Sequence, residues 1–332
     1  MKARAAEDVG CALCGAPTTR VGKRGTAAEQ AEAEAELAAC AQSSDCAMCG
    51  AGAVKMRCSR CRLASFCNED CQRRGWREHK LICKSPEERM RERERLGERL
   101  YEASARGDLE TVNELIAKGA NVDHVNKFLR FTSLMIATQW GFVKVMRALL
   151  DANAQVDFAH DLIGCTAMTV AGGCGRVDVL RVLIDAKADV NKARRDLSSP
   201  LHQATEGGHE DAVSVLIAAG AQVNAINRTG ISALFLPVQR GQVRIVRELI
   251  AAGCNVNYIW PENGTTALIV AAQNGHLEVV RLLLEAGADP HIVDLNGHTT
   301  LDVAKLYKQA AVVALLEAKL RVLGEDCPPS AV

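Results

Sequence analysis

Residues 198–224 read SSPLHQATEGGHEDAVSVLIAAGAQVN, and this stretch decides the fold. Ser199 is placed as a helix cap, its hydroxyl able to accept a backbone N–H of the first turn. Two short amphipathic patterns follow, separated by a turn at Gly208. Gly220 stands where the second helix ends in a left-handed residue, a conformation that a Cβ disfavours.

The arrangement returns every 33 to 34 residues from 100 to about 323. Gly107, Gly141, Gly175, Gly208, Gly241 and Gly275 mark the first turn of successive copies, and Lys308 holds that place in the seventh. A second series of turns reads AKGANVD, DANAQVD, DAKADVN, AAGAQVN, AAGCNVN and EAGADPH. At its third position Asn153 tolerates the left-handed backbone, and Lys187 tolerates it less easily. Periodic Leu, Val and Ala between the turns form the core. A unit this short cannot bury its apolar face alone, so the copies must stack and the ends must be atypical.

This array resembles ankyrin repeats, with about seven copies covering roughly two thirds of the chain. The TPLH tetrad of that family appears as SPLH at 199–202 and elsewhere as TSLM, TAMT, SALF, TALI and TTLD. The Ser or Thr cap persists, while the lost histidines put some inter-repeat hydrogen bonds in doubt. Pro237 replaces an expected alanine and implies a distorted fifth inner helix. The array is therefore expected to be weakest near Lys187 or Pro237. His202, His209 and His276 fall on family positions and point to neither catalysis nor metal.

The resemblance also implies a concave recognition surface built from finger loops and inner helices. Aromatic side chains off the core period are its candidate anchors. Trp140 and Trp260 lead, followed by Phe128, Phe158 and Tyr258; Phe131 and Phe142 share these neighbourhoods. The competing expectation is that these rings pack their own fingers.

Between 46 and 83 a different chemistry appears. Cys46 and Cys49, Cys58 and Cys61, Cys67 and Cys71, and His79 and Cys83 form four pairs of soft ligands within 38 residues. Structural zinc takes four thiolate or imidazole ligands, so eight make two tetrahedral sites. The last two pairs have i, i+4 spacing and would each lie on one helix face. VKMRC and LASFC are suited to a small hairpin. With few apolar residues available, metal must supply most of the stability of this segment.

The spacing resembles the MYND-type zinc finger, including the seven-residue step to His79, the final H-x3-C, and Gln72 and Trp76 in the third gap. HIT-type fingers have a shorter step to the histidine, and RING fingers place their histidine earlier. The family implies a cross-brace, with Cys46, Cys49, Cys67 and Cys71 on one zinc and Cys58, Cys61, His79 and Cys83 on the other. It also implies that Gln72 and Trp76 hold a short proline-containing peptide beside the hairpin. An indole offers a flat, rigid apolar platform for that purpose. Covering the zinc core is the alternative role for Trp76, and the two are compatible.

The remaining segments set the context. Residues 1–45 form an Ala/Glu-rich arm with little to bury, expected to be flexible and disordered. Cys11 and Cys14 have knuckle spacing but lack a fourth ligand. Residues 84–99 read as a charged helical linker opened by Ser85, Pro86 and Glu88, running on into Leu100. Residues 324–332 are a tail. The fold class is thus mostly α: a solenoid of helix pairs at 100–323, preceded by a small two-zinc finger.

Forty basic and forty acidic residues leave no net charge to draw the chain to nucleic acid or membrane. The finger's eight basic and three acidic residues fall to about +2 once seven thiolates and two divalent ions are counted, too weak a field for phosphate binding. The start lacks an apolar leader and no stretch has the length of a membrane span, so an intracellular protein, cytoplasmic or nuclear, is expected. The function expected is a non-catalytic scaffold binding other proteins, without a small-molecule substrate. Rivals are a transcriptional or chromatin co-regulator contacting nucleic acid, and an accessory part of a ubiquitin ligase or methyltransferase.

Overall fold

The computed structural model describes residues 56–58, 65–66 and 83–322, and the chain divides into two compact units, 1–124 and 125–332. The N-terminal arm with Cys11 and Cys14, the tail at 324–332 and most of the finger lie outside the described residues. No helix among the described residues is long and apolar enough to cross a membrane.

In the first unit β1 (Met56–Arg57) pairs antiparallel with β2 (Ser65–Phe66), Met56 opposite Phe66 and Arg57 opposite Ser65. This is the hairpin expected from VKMRC and LASFC. Then α1 (Pro86–Arg106) runs unbroken for 21 residues, so the charged connector and the first inner helix are one element. Its start is fixed by a capping box: the Ser85 hydroxyl accepts the Glu88 N–H at 3.1 Å, and the Glu88 carboxylate accepts the Ser85 N–H at 2.7 Å. Pro86 sits in the first turn, where its missing N–H leaves nothing unpaired.

The connector half of α1 is solvated, with Arg91, Arg93, Glu94 and Arg95 exposed. The second half buries Leu100 and Ala103 where α1 packs on α2 (Leu109–Ala117), which contributes Val112 and Leu115. Each fully buried leucine of this kind contributes about 1.5–3 kcal/mol. Gly97 marks the junction because a Cβ there would come within 2.5 Å of the His124 ring, whose Nε2 meets Glu98 at 2.9 Å.

The second unit holds six helix pairs. They are α3 (Ser133–Trp140) with α4 (Val143–Asp151), α5 (Ala167–Gly173) with α6 (Val177–Asp185), and α7 (Pro200–Gly207) with α8 (Glu210–Ala218). Next come α9 (Phe235–Gln239) with α10 (Val243–Ala251), α11 (Ala267–Asn274) with α12 (Leu277–Glu285), and α13 (Thr300–Leu306) with α14 (Ala310–Val322). Within the unit, inner helices stack on inner helices and outer on outer, giving two layers. The seam between the layers is the core, with Leu134, Met146, Leu149, Met168, Leu180, Leu183, Leu201 and Leu216 fully buried. The α5–α7 contact is close because Gly172 has no side chain; a Cβ there would lie 2.6 Å from the Pro200 carbonyl oxygen.

Thr132, Thr166, Ser199, Thr266 and Thr299 cap the inner helices, each accepting the N–H three residues on at 3.2–3.4 Å. His202 extends its cap into the next repeat. Its Nδ1 accepts the Ser199 N–H at 3.2 Å, and its Nε2–H donates to the Ile231 carbonyl at 3.1 Å. In the two copies where Thr169 or Asp302 replaces the histidine, it accepts the cap residue's N–H at 2.8 or 3.0 Å, so the local box survives there without the long reach.

The two irregular copies depart as their residues dictate. Lys187 is left-handed, at φ +63°. The fifth inner helix has only five residues and begins at Phe235, without the Ser232 side-chain cap. Starting later puts Pro237 in the first turn, where no intrahelical N–H bond is required of it.

Candidate metal centre and protein-binding surfaces

Cys58 directly follows β1, and Cys83 lies two residues before the Ser85 cap of α1. The end of a strand and the start of a helix thus bring together two thiols 25 residues apart. Both are buried, and their Sγ atoms are 3.7 Å from one another. A disulfide requires about 2.0 Å. Two thiolates held at about 2.3 Å by one tetrahedral zinc stand about 3.8 Å apart. The observed spacing fits shared coordination, and a zinc ion there would crosslink hairpin and helix with a strength that small apolar segments lack. Cys46, Cys49, Cys61, Cys67, Cys71 and His79, together with Gln72 and Trp76, lie outside the described residues.

Other thiols have a different environment. Burial pushes the Cys165 thiol upward and the Cys254 thiol up to about 11. Groups held protonated in this way are poor nucleophiles and poor metal ligands. Two array histidines tie neighbouring repeats together: His209 Nε2 lies 3.0 Å from the Gly173 carbonyl and His276 Nε2 lies 2.9 Å from that of Gln239, each in the preceding repeat.

The aromatic candidates separate by what they touch. Phe128 stands at the tip of the first finger of the second unit and is 88% exposed. Its backbone is held by Asn126, whose Oδ1 accepts the N–H groups of Phe128 and Leu129, both at 2.9 Å. Trp140 ends α3 just before the left-handed Gly141 and is 53% exposed. Phe158 is half-buried in the turn after α4.

Trp260 and Tyr258 face the preceding finger. The Trp260 indole N–H donates to the Thr229 carbonyl at 3.0 Å, its ring lies 4.7 Å from that of Phe235, and the Tyr258 hydroxyl donates to the Gly230 carbonyl at 2.9 Å. Together with Leu234 they line the small hollow beside the shortened α9. Phe131 is likewise engaged, edge-on to the buried His160 ring at 5.7 Å.

Several surface residues carry no aromatic signal and were not singled out in the sequence. Leu129, Leu162, Ile163 and Leu197 are all exposed at finger tips. Their signal is positional: each lies two or three residues beyond a side chain, Asn126, His160 or Arg194, that begins its finger turn. His160 was also missed. Its Nδ1 accepts the Leu162 N–H at 3.1 Å, and its Nε2–H donates to the Leu129 carbonyl at 3.1 Å.

Comparison with known proteins agrees with this geometry. Models of ankyrin repeats match residues 100–194, 193–259 and 249–304, and the model of the MYND finger matches residues 46–83. The ankyrin repeat domain of Bcl-3, described as a unique member of the IkappaB protein family, superposes with a TM-score of 0.60 at 28% identity, covering 66% of this chain and 97% of that one. The human ASB11 ankyrin repeat domain gives 0.57 at 29% identity, covering 70% and 99%. Egl nine homolog 1 of Homo sapiens is 43% identical over 42 residues, 13% of this chain. That match spans only 10% of the relative's own length. Ankyrin repeats and MYND fingers are protein-interaction modules, typically without catalysis, and a MYND finger implies bound zinc. The chain belongs to the ankyrin-repeat proteins and carries a MYND-type zinc finger.

Proposed function

We propose that this protein is a non-catalytic, intracellular adaptor with two protein-binding surfaces and two structural zinc ions. One zinc takes Cys46, Cys49, Cys67 and Cys71; the other takes Cys58, Cys61, His79 and Cys83. The 3.7 Å approach of Cys58 and Cys83 supports their shared site. Gln72 and Trp76 would hold a short proline-containing peptide, its extended backbone laid beside the β1–β2 hairpin. The array would take a second protein through Phe128 and Trp140, while Trp260 and Tyr258 serve the packing of the fingers.

The observation that carries this reading is the union of two interaction modules in one chain, with large apolar side chains displayed at 128 and 140. Two weak sites on one chain gain avidity through effective concentration. Affinity capture with wild type, Trp76→Ala and the pair Phe128→Ala with Trp140→Ala tests it. Each variant should lose a different set of proteins. Loss of no protein from either would overturn the assignment of the surfaces.

A further inference from the structure

We infer that the first four finger tips of the second unit form one basic, apolar ridge that binds an acidic segment bearing bulky apolar side chains. This rests on the reading of the array as a protein-binding surface and names the chemistry of its partner. The tips are stapled side by side. The His160 Nε2–H donates to the Leu129 carbonyl at 3.1 Å, the Arg195 N–H to the Ile163 carbonyl at 3.0 Å, and the Arg228 N–H to the Asp196 carbonyl at 2.8 Å. Side chains on neighbouring tips therefore share one surface.

That surface is unusual in content. Phe128, Leu129, Leu162 and Leu197 are each more than half exposed, Leu162 at 67%. Isolated exposed leucines are ordinary, but a run of them across adjacent tips makes a contiguous patch of the kind that marks an interface. Their backbones are fixed by the finger turns, so little ordering entropy opposes docking.

Charge selects the occupant. The four tips, at 126–132, 160–165, 194–198 and 227–232, carry five basic residues against two acidic ones in a chain of zero net charge. Asp161 is paired with Arg130, and Asp196 faces Arg194 at 3.9 Å, so both acids are engaged. Lys127, Arg195 and Arg228 are exposed and form no ion pair among the described residues. The fifth and sixth tips reverse the sign, with Glu262 and Asp294. Apolar anchors rimmed by cations that are not neutralised by a carboxylate fit carboxylates interleaved with Leu or Phe. Single-stranded nucleic acid fits less well, because base stacking needs several aromatic platforms and Phe128 is the one exposed ring at these tips, Phe131 being engaged edge-on with His160.

Fluorescence anisotropy on the full chain tests this, using a labelled peptide that alternates Glu with Leu and Phe, its Lys counterpart and a single-stranded oligonucleotide. The acidic peptide should bind, weaken with added salt, and lose about tenfold or more in affinity with either Phe128→Ser plus Leu162→Ser or Lys127→Glu plus Arg195→Glu. These positions are exposed, and unchanged far-ultraviolet circular dichroism would show the fold retained. Tyr307→Ala, exposed in the last copy and outside the ridge, should leave this binding unchanged. Equal binding of the Lys peptide, preference for the oligonucleotide, or no binding of the acidic peptide would overturn the proposal. So would concentration-dependent self-association abolished by the same substitutions, which would assign the ridge to a second copy. If the acidic peptide fails while affinity capture still responds to Phe128→Ala with Trp140→Ala, only this inference falls; if capture also fails, the adaptor reading falls with it.

Discussion

Asn224 Oδ1 accepts the backbone N–H of Asn255 at 2.7 Å, while the Asn224 Nδ2 donates to the Gly253 carbonyl at 3.1 Å. One amide thereby satisfies a donor and an acceptor of the following repeat. Asn191 does the same with Gln222 and Gly220, and Asn257 with Asp289 and Gly287. In an earlier copy Asp157 accepts the Asp189 N–H at 3.0 Å but has no amide to donate. A net intramolecular hydrogen bond contributes about 0.5–1.5 kcal/mol. Asn224→Asp, which keeps the acceptor and removes the donor, should destabilise the array by about 1 kcal/mol. Asp157→Asn should stabilise it by a similar or smaller amount, since the new donor would face the Lys187 carbonyl. Urea unfolding of the two variants beside wild type checks both signs.

Lys187 stands at φ +63°, where Gly119, Gly220, Gly253 and Gly287 stand in other repeats. A left-handed backbone costs an ordinary side chain about 1–2 kcal/mol, partly offset by the freedom glycine adds to the unfolded chain. Lys187→Gly should therefore stabilise by about 0.5–1 kcal/mol. Slower amide exchange in the neighbouring helices α5 to α7 is the expected readout, and faster exchange would count against it.

Ser133 opens α3 fully buried, and its hydroxyl has no hydrogen-bond partner among the described residues. Ala167 and Ala267 hold the same place in other repeats. An unsatisfied buried hydroxyl costs about 1–3 kcal/mol. Ser133→Ala should raise the thermal midpoint, whereas Thr132→Ala, which removes the neighbouring cap, should lower it.

Burial holds the His202 imidazole below its usual range, with the Ile231 carbonyl opposing that shift only in part. The folded state therefore keeps His202 neutral at a pH where the unfolded chain, near its ordinary value of about 6.5, already takes a proton. More protons bound to the unfolded state means stability falls as pH falls below about 6.5. His202→Gln should flatten part of that decline. The difference between wild-type and variant unfolding free energies at pH 7.5 and 5.5 isolates this group from the other histidines; an unchanged difference would refute the assignment.

Much of this structure was legible in the chain because glycine, proline and capping residues act locally. The seven helix pairs, the left-handed Asn153 and Lys187, the Ser85 capping box and the shortened helix at Pro237 all follow from such rules. What was not legible depends on partners distant in sequence. Gly97 looks like a weak point of a long helix until His124 packs over it. Trp260 and Phe128 look alike as finger aromatics, yet one is turned into the preceding finger and the other outward. Leu162 and Leu197 belong to a residue type normally buried, so only their place in the finger turn exposes their role. At the finger, ligand spacing is a local signal, but the approach of Cys58 to Cys83 appears only when the hairpin and α1 are placed together.

The account depends most on metal joining those two sulfurs. Native mass spectrometry of the full chain should find two zinc ions per molecule, and Cys83→Ser should reduce the count to one without affecting the array. A chain that carries no zinc, or that weighs two hydrogens less because Cys58 and Cys83 have formed a disulfide, would contradict it.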